Sequence, residues 1–269
     1  MTQLKNLSTS LFSVADRQVR SRGRGSRTGP GWVDFNDGWY SKAWCEKASG
    51  GWYREWSGTH GMFTGRGGWF RSRWVREDGN LIPDISRHAG DPSHWPKVSS
   101  LARNYSIDWT GSGEIESFGS CYTFGLKFEL TALDQWKDYD WTTSYECYIV
   151  THTSRTDWSG NRQYPFIHIG TVYPPGSPVG YDCYKAHYQP FWQLWAVRRG
   201  NTWDGPVNVQ AIIRYWAEHS GTSLNYDSWH YNGNSICVET NESSGCFKVR
   251  NIDIPNISVP GRGGARVPG

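Results

Sequence analysis

The chain is a succession of short runs rich in Trp, Tyr, Phe, Val, Ile and Thr, broken every few residues by Gly, Asn, Asp or Pro. Trp39-Cys45, Trp52-Trp56, Gly68-Val75, Ser106-Thr110, Thr123-Leu130, Tyr145-Thr151, Ile167-Val172, Tyr181-Ala186, Phe191-Arg198, Ser235-Glu239 and Cys246-Ile252 all read as strands by this criterion. One segment reads otherwise. In GPVNVQAIIRYWAEHSG, Val209, Ile212, Ile213 and Trp216 recur at the spacing of one helix face. Gly221, just past its end, suits the left-handed cap conformation. Many strands with a single helix predict a β-sandwich or jelly roll and exclude a helical bundle.

At 269 residues the chain can bury a real core in one domain. Residues 1-31, Arg-, Ser- and Gly-rich, read as a flexible basic leader. Residues 32-257 read as one domain and 258-269 as a flexible tail, while Arg76-Arg103 reads as loop. The net charge of +3 is unevenly placed. Lys5, Arg17, Arg20, Arg22, Arg24 and Arg27 face Asp16 alone in the leader, which leaves the rest of the chain slightly acidic. A nucleic-acid-binding face carries its basic residues on folded elements, so nucleic acid is not the expected partner. No apolar run approaches the roughly 20 residues of a membrane span. Nucleophile elbows, phosphate-binding loops and dinucleotide fingerprints are also missing from the sequence.

Six cysteines, Cys45, Cys121, Cys147, Cys183, Cys237 and Cys246, form an even set with no C-x-x-C pair. The histidines are scattered, which disfavours zinc. Disulfides in an oxidising compartment are the preferred reading, with free buried thiols as the alternative. In CVETNESSGC the turn-forming centre places Cys237 and Cys246 on adjoining strands, close enough to bridge. Sequons at Asn6, Asn104, Asn241 and Asn256 agree with a secreted, extracellular protein. Met1 to Arg27 nevertheless lacks the apolar centre of a signal peptide.

Two carboxylates stand out. Glu146 lies within SYECYIV and Glu239 within SICVETNESSG, each inside a run of β-formers. A charge among apolar neighbours is costly to bury unpaired. Alternation puts Glu146 and Tyr148 on the face opposite Tyr145, Cys147 and Ile149, and Glu239 opposite Ile236 and Val238. Both glutamates therefore look away from an apolar face, either toward solvent or toward a functional surface.

Here the chain resembles glycoside hydrolase family 11, the β-jelly-roll endo-1,4-β-xylanases. ECYIV is similar to that family's E-Y-Y-I-V nucleophile strand, and CVETNESSG to its A-x-E-G-Y-x-S-S-G acid/base strand. Between them, FWQLWAVRR resembles F-Y-Q-Y-W-S-V-R, and VNVQAIIRYW stands where the family has its helix. Upstream, DGWYSKAW and GMFTGRGGW resemble N-G-Y-F-Y-S-Y-W and N-F-V-G-G-K-G-W. These pieces cover residues 36 to 250 and occur in the family's order.

The resemblance implies an all-β jelly roll of two twisted antiparallel sheets with a single helix and a cleft for a polysaccharide, and no cofactor. It makes the protein a retaining endo-acting glycoside hydrolase on a β-1,4-linked chain, xylan first. Glu146 corresponds to the nucleophile and Glu239 to the acid/base, a pair that works about 5-5.5 Å apart. Trp44 matches the sugar-stacking tryptophan, Tyr148 the tyrosine beside the nucleophile, Gln193 the cleft glutamine, and Tyr188 an arginine near the thumb base. Cys147 and Cys183 fall on segments that the family pairs in one sheet, which leaves Cys45 with Cys121. The family's long thumb hairpin is reduced here to Gln189-Pro190, and Met62 replaces an Asn or Asp beside the acid/base. The alternative reading is a carbohydrate-binding or structural protein that kept the cleft and lost turnover.

Overall fold

In TFGLKFELT, Phe124, Leu126, Phe128 and Leu130 alternate with Gly125, Lys127 and Glu129, so an extended chain has one apolar and one polar face. A computed structural model of the protein describes residues 19-27, 31-34, 42-45, 52-60, 65-86, 96-117, 121-132, 144-158, 165-188, 191-231 and 235-254, with side chains only in the part from residue 96 on. In chain order the strands are β1 (Val19–Arg27), β2 (Gly31–Asp34), β3 (Lys42–Cys45), β4 (Trp52–His60), β5 (Gly65–Ser86), β6 (Ser106–Ser117) and β7 (Thr123–Thr131). They continue with β8 (Ser144–Thr153), β9 (Ile167–Val172), β10 (Tyr181–Tyr188), β11 (Phe191–Arg198), β12 (Val207–Asn208), β13 (His230–Tyr231) and β14 (Ser235–Ile254). Helix α1 spans Val209–His219.

The main path of the sheet runs β1-β4-β5-β14-β7-β8-β11-β10-β9. Its pairs are antiparallel except β8 with β11. Two long strands link the layers. The first part of β14, Ser235 to Glu239, pairs with β7, whereas Ser243 to Asp253 pairs with β6. Strand β5 accompanies β14 through both parts, joined by β3 near Leu81 to Pro83 and by β4 near Gly65 to Trp74. The result is an all-β jelly roll.

The core lies where the two layers face each other. Leu126, Phe128, Leu130, Tyr145, Cys147, Ile149, Leu194, Ile236 and Val238 enter it from one layer, and Ile107, Trp109, Phe247 and Val249 from the other. Phe124 meets Trp109 edge-on at 6.2 Å and Phe247 at 5.7 Å, tying the layers together. Each such side chain contributes roughly 1.5-3 kcal/mol by leaving water. Helix α1 buries Ile212, Ile213 and Trp216 on this core, the face expected from the sequence. Asn208 Oδ1 caps it by accepting from the Ala211 N–H at 3.0 Å. Gly221 follows with φ +62°, as its position predicted, and Lys185 Nζ donates to the Ser220 carbonyl at 2.6 Å.

Three sequence expectations are corrected. The part of the leader from Val19 to Arg27 is strand β1, paired residue by residue with Trp52 to His60. Its Gly and Arg residues hide a strand that a partner's backbone specifies. The loop expected over Arg76-Arg103 is strand up to Ser86, because β5 continues alongside β14. Finally, the turn expected within CVETNESSGC does not reverse the chain. It is absorbed as register shifts against β5 between Asn241 and Gly245, where β14 passes from one layer to the other.

That last correction removes the Cys237-Cys246 bridge. Both residues lie on one continuous strand, and nine residues of strand span about 30 Å, against the ~7 Å Cα limit of a disulfide. Cys147 and Cys183 are not bridged either. They lie on β8 and β10, on opposite sides of β11, facing Leu194 and Ala196 respectively. Each is fully buried and directs its thiol to a nearby carbonyl, Cys147 to Tyr145 and Cys183 to Tyr181, both at 3.7 Å. Burial pushes the Cys183 thiol up to about 12 and holds that of Cys147 well above the usual thiol range. The side chain of Cys45, expected to pair with Cys121, lies outside the described residues.

Candidate active site

The layer formed by β14, β7, β8, β11 and β10 has a second face, away from the core, and the sequence-predicted glutamates lie on it. On β8, Tyr145, Cys147 and Ile149 enter the core, so Glu146 and Tyr148 face the other way. Parallel pairing with β11 sets Gln193 beside Glu146 and Trp195 beside Tyr148. Antiparallel pairing with β7 sets Glu129 opposite Glu146 and Lys127 opposite Tyr148. On β14, Ile236 and Val238 are core residues, and Glu239 lies opposite Thr123 of β7.

Contacts converge on Glu146. Its Oε1 forms an ion pair with Lys127 Nζ, and the two side chains are only 11% and 18% exposed. Gln193 Nε2 donates to Oε2 at 2.7 Å, and Trp195 Nε1 donates to Gln193 Oε1 at 3.2 Å, which fixes the amide. The Tyr148 hydroxyl donates to the same carboxylate, while its ring stacks on Trp195 at 3.8 Å with 6° between planes. Lys127 Nζ also stands 5.2 Å from the centre of the Tyr148 ring. Glu239 acts on both Lys127 and Tyr148 through its charge, and its Oε2 is shielded from solvent.

The electrostatics follow from these contacts. Burial alone would raise the Glu146 carboxyl, but the Lys127 ammonium and the hydrogen bonds from Lys127, Gln193 and Tyr148 outweigh it. The group is therefore held below the usual carboxylate range and stays ionised. Burial alone would lower Lys127, yet Glu146 and then Glu239 raise it above the ordinary lysine value. Burial, followed by the two carboxylates, raises Tyr148 well above the usual phenol range, so it remains a donor. An ionised carboxylate, a fixed ammonium and a neutral phenol therefore share one half-buried patch.

Of the predicted site residues, Glu146, Tyr148 and Gln193 come together in direct contact. Glu239 shares their face, six residues along β7 from the level of Glu146. Trp44 belongs to β3, paired with Ile82 of β5, and Tyr188 ends β10 opposite Phe191. Neither side chain is among those described. Met62 and Gln189-Pro190 also lie outside the described residues. The Tyr188-Phe191 pair shows that two residues join β10 to β11, the short connection read from the sequence.

Sequence reasoning passed over Lys127 and Glu129. The signal was present in the alternation of TFGLKFELT, which places both on the face opposite Phe128 and Leu130. It also passed over Trp158 and Phe166. These pack on Trp195 at 5.6 Å and 5.5 Å and, with Tyr184, cover the polar face beyond Tyr148. The Arg155 guanidinium lies 4.9 Å from the Trp158 ring and 4.7 Å from that of Phe166. Among the described residues, no group of three His, Cys, Asp or Glu side chains is arranged to hold a metal ion. No described helix is long and apolar enough to cross a membrane.

No family model matches the sequence, and no curated protein matches it by sequence. Solved structures do match the fold. The crystal structure of wild-type ENZbleach xylanase is 15% identical, with 89% of each chain covered and a TM-score of 0.62. A variant of that enzyme with two introduced cysteines is 16% identical, again with 89% of each chain covered and a TM-score of 0.62. At such identities the likeness shows a xylanase-like fold.

Proposed function

We propose that this protein is a retaining, endo-acting glycoside hydrolase that cleaves a β-1,4-linked polysaccharide, xylan being the first substrate to test. The observation that carries the reading is Glu146, a carboxylate kept ionised on the polar face of a xylanase-like jelly roll by Lys127, Gln193 and Tyr148. An ionised, fixed carboxylate is what a retaining nucleophile requires. In this reading Glu146 attacks the anomeric carbon and forms a glycosyl ester while the bond to the leaving oxygen breaks. Glu239, matched to the acid/base by the resemblance, protonates that oxygen and then takes a proton from the water that releases the sugar. Gln193 and Tyr148 hold the nucleophile in place, and the resemblance matches Trp44 to the sugar-stacking tryptophan. The two residues between the paired Tyr188 and Phe191 are too few for a thumb hairpin at this connection.

A second reading, a glycan-binding protein without turnover, is favoured by two observations. Lys127 already neutralises Glu146, and the two glutamates stand six residues apart along β7. Reducing-sugar assays on xylan, mixed-linkage glucan, cellulose and mannan separate the two. The hydrolase reading expects release from at least one polymer, reduced at least 1,000-fold, on the order of 4 kcal/mol of barrier, by Glu146→Gln and by Glu239→Gln. Binding to a polymer by affinity electrophoresis with no release from any of the four establishes the second reading instead.

A further inference from the structure

We infer that Lys127 is a positioning residue of the hydrolytic site, clamping Glu146 in one orientation as a carboxylate and setting the acid limit of activity. The inference rests on the hydrolase reading and extends it to a residue that the sequence motifs do not mark. Strand register makes the placement unavoidable. Lys127 sits directly opposite Tyr148 on the neighbouring strand, and its ammonium reaches Glu146 Oε1 along the sheet and lies against the Tyr148 ring. The rest of the carboxylate is already taken up. Gln193 holds Oε2 from β11, with Trp195 behind it. Removing the ammonium would leave a partly buried carboxylate with two neutral donors and no positive charge. Such a group takes up a proton more readily, and a protonated Glu146 cannot attack.

The groups facing Lys127 are Glu129 on its own strand, Glu146 and Tyr148 on β8, and Cys237 and Glu239 on β14. Three of these carry or can carry negative charge at neutral pH as carboxylates. Among the described residues, the Lys127 ammonium therefore balances a face that would otherwise repel its own nucleophile into the protonated form. Loss of Lys127 acts on the chemical step and not chiefly on sugar binding, since its ammonium is engaged by protein.

The test combines kinetics with direct titration. In Lys127→Met, the acid limb of kcat/KM should move up by about one pH unit or more, with kcat reduced about tenfold or more at the parent's acid edge and KM changed less than about threefold. Carbon-13 titration of the Glu146 carboxyl should show the same upward movement, and Lys127→Arg should restore both toward the parent. Lys127→Gln serves where the Met variant fails to fold. A variant with native circular dichroism in which both the kinetic limb and the Glu146 midpoint stay put overturns the inference, whatever its rate. If the parent cleaves none of the four polymers while the Glu146 midpoint still rises on losing Lys127, the hydrolase reading fails and the control of Glu146 by Lys127 stands.

Discussion

Lys127 and Glu146 form a pair whose worth depends on both members being present. Removing Lys127 leaves Glu146, 11% exposed, without its cation, and removing Glu146 leaves Lys127, 18% exposed, without its nearest carboxylate. Lys127→Met or Glu146→Leu alone should therefore cost about 2-3 kcal/mol, below the ~3-5 kcal/mol of a fully buried pair because some water reaches both. The double variant should recover most of that loss, since two apolar side chains need no partner. Urea unfolding of the four proteins measures this cycle, and additive losses would show that the pair is not coupled. The pH dependence has a definite sign. Because folding lowers the Glu146 carboxyl, its contribution is complete above the ordinary carboxylate range and fades as pH falls through the folded value. The parent should lose stability on acidification below about pH 4 more steeply than Glu146→Gln, read as Tm across pH. At this scale the sequence was informative where a charge interrupted a run of β-formers, as at Glu146. It was silent at Lys127, whose meaning depends on Glu146, 19 residues away, which register brings diagonally alongside it on the neighbouring strand.

Register is set by elements, and Gly125 is where β7 sets it. The β7–β8 pairing shifts between Phe124 and Gly125, and a Cβ at Gly125 would collide with the Ile149 carbonyl oxygen. A bulge at this point aims Lys127 and Glu129 against Tyr148 and Glu146. Gly125→Ala should destabilise by about 3 kcal/mol or more and weaken any activity more than its stability loss explains. A variant with parental Tm would show that the close approach is not present. Helix α1 offers a milder check, since Asn208→Ala removes the cap on Ala211 and should cost about 1 kcal/mol without altering the site. Elements were legible where periodicity was strong: the helix, and strands β9 and β11, whose limits match the sequence reading. They were hidden where turn-forming residues serve other ends. NESSG turns nothing back and instead lets β14 change layers, so two expected strands are one. The Gly- and Arg-rich β1 gains its strand character from pairing with β4.

On the scale of the whole molecule, stability rests on the core shared by two layers, with a second apolar cluster around Trp158 and Trp195, and not on covalent cross-links between the buried thiols. Cys147 and Cys183 should be silent to a thiol reagent in the native protein and react on denaturation, and a reductant should leave Tm unchanged. A Tm that falls on reduction would contradict this and restore the case for disulfides. Only two residues separate the paired Tyr188 and Phe191, too few for a thumb hairpin at this connection, which leads to a further expectation: branched polymers should be used relatively better than by a cleft that closes over its substrate. The measurement that reaches the central claim most directly is covalent trapping. An activated 2-deoxy-2-fluoro xylobioside, offered to the intact protein and followed by peptide mass spectrometry, should leave one glycosyl group on Glu146 and none in Glu146→Gln. Labelling of a different carboxylate, or no label while the polymer is still cleaved, would contradict the account.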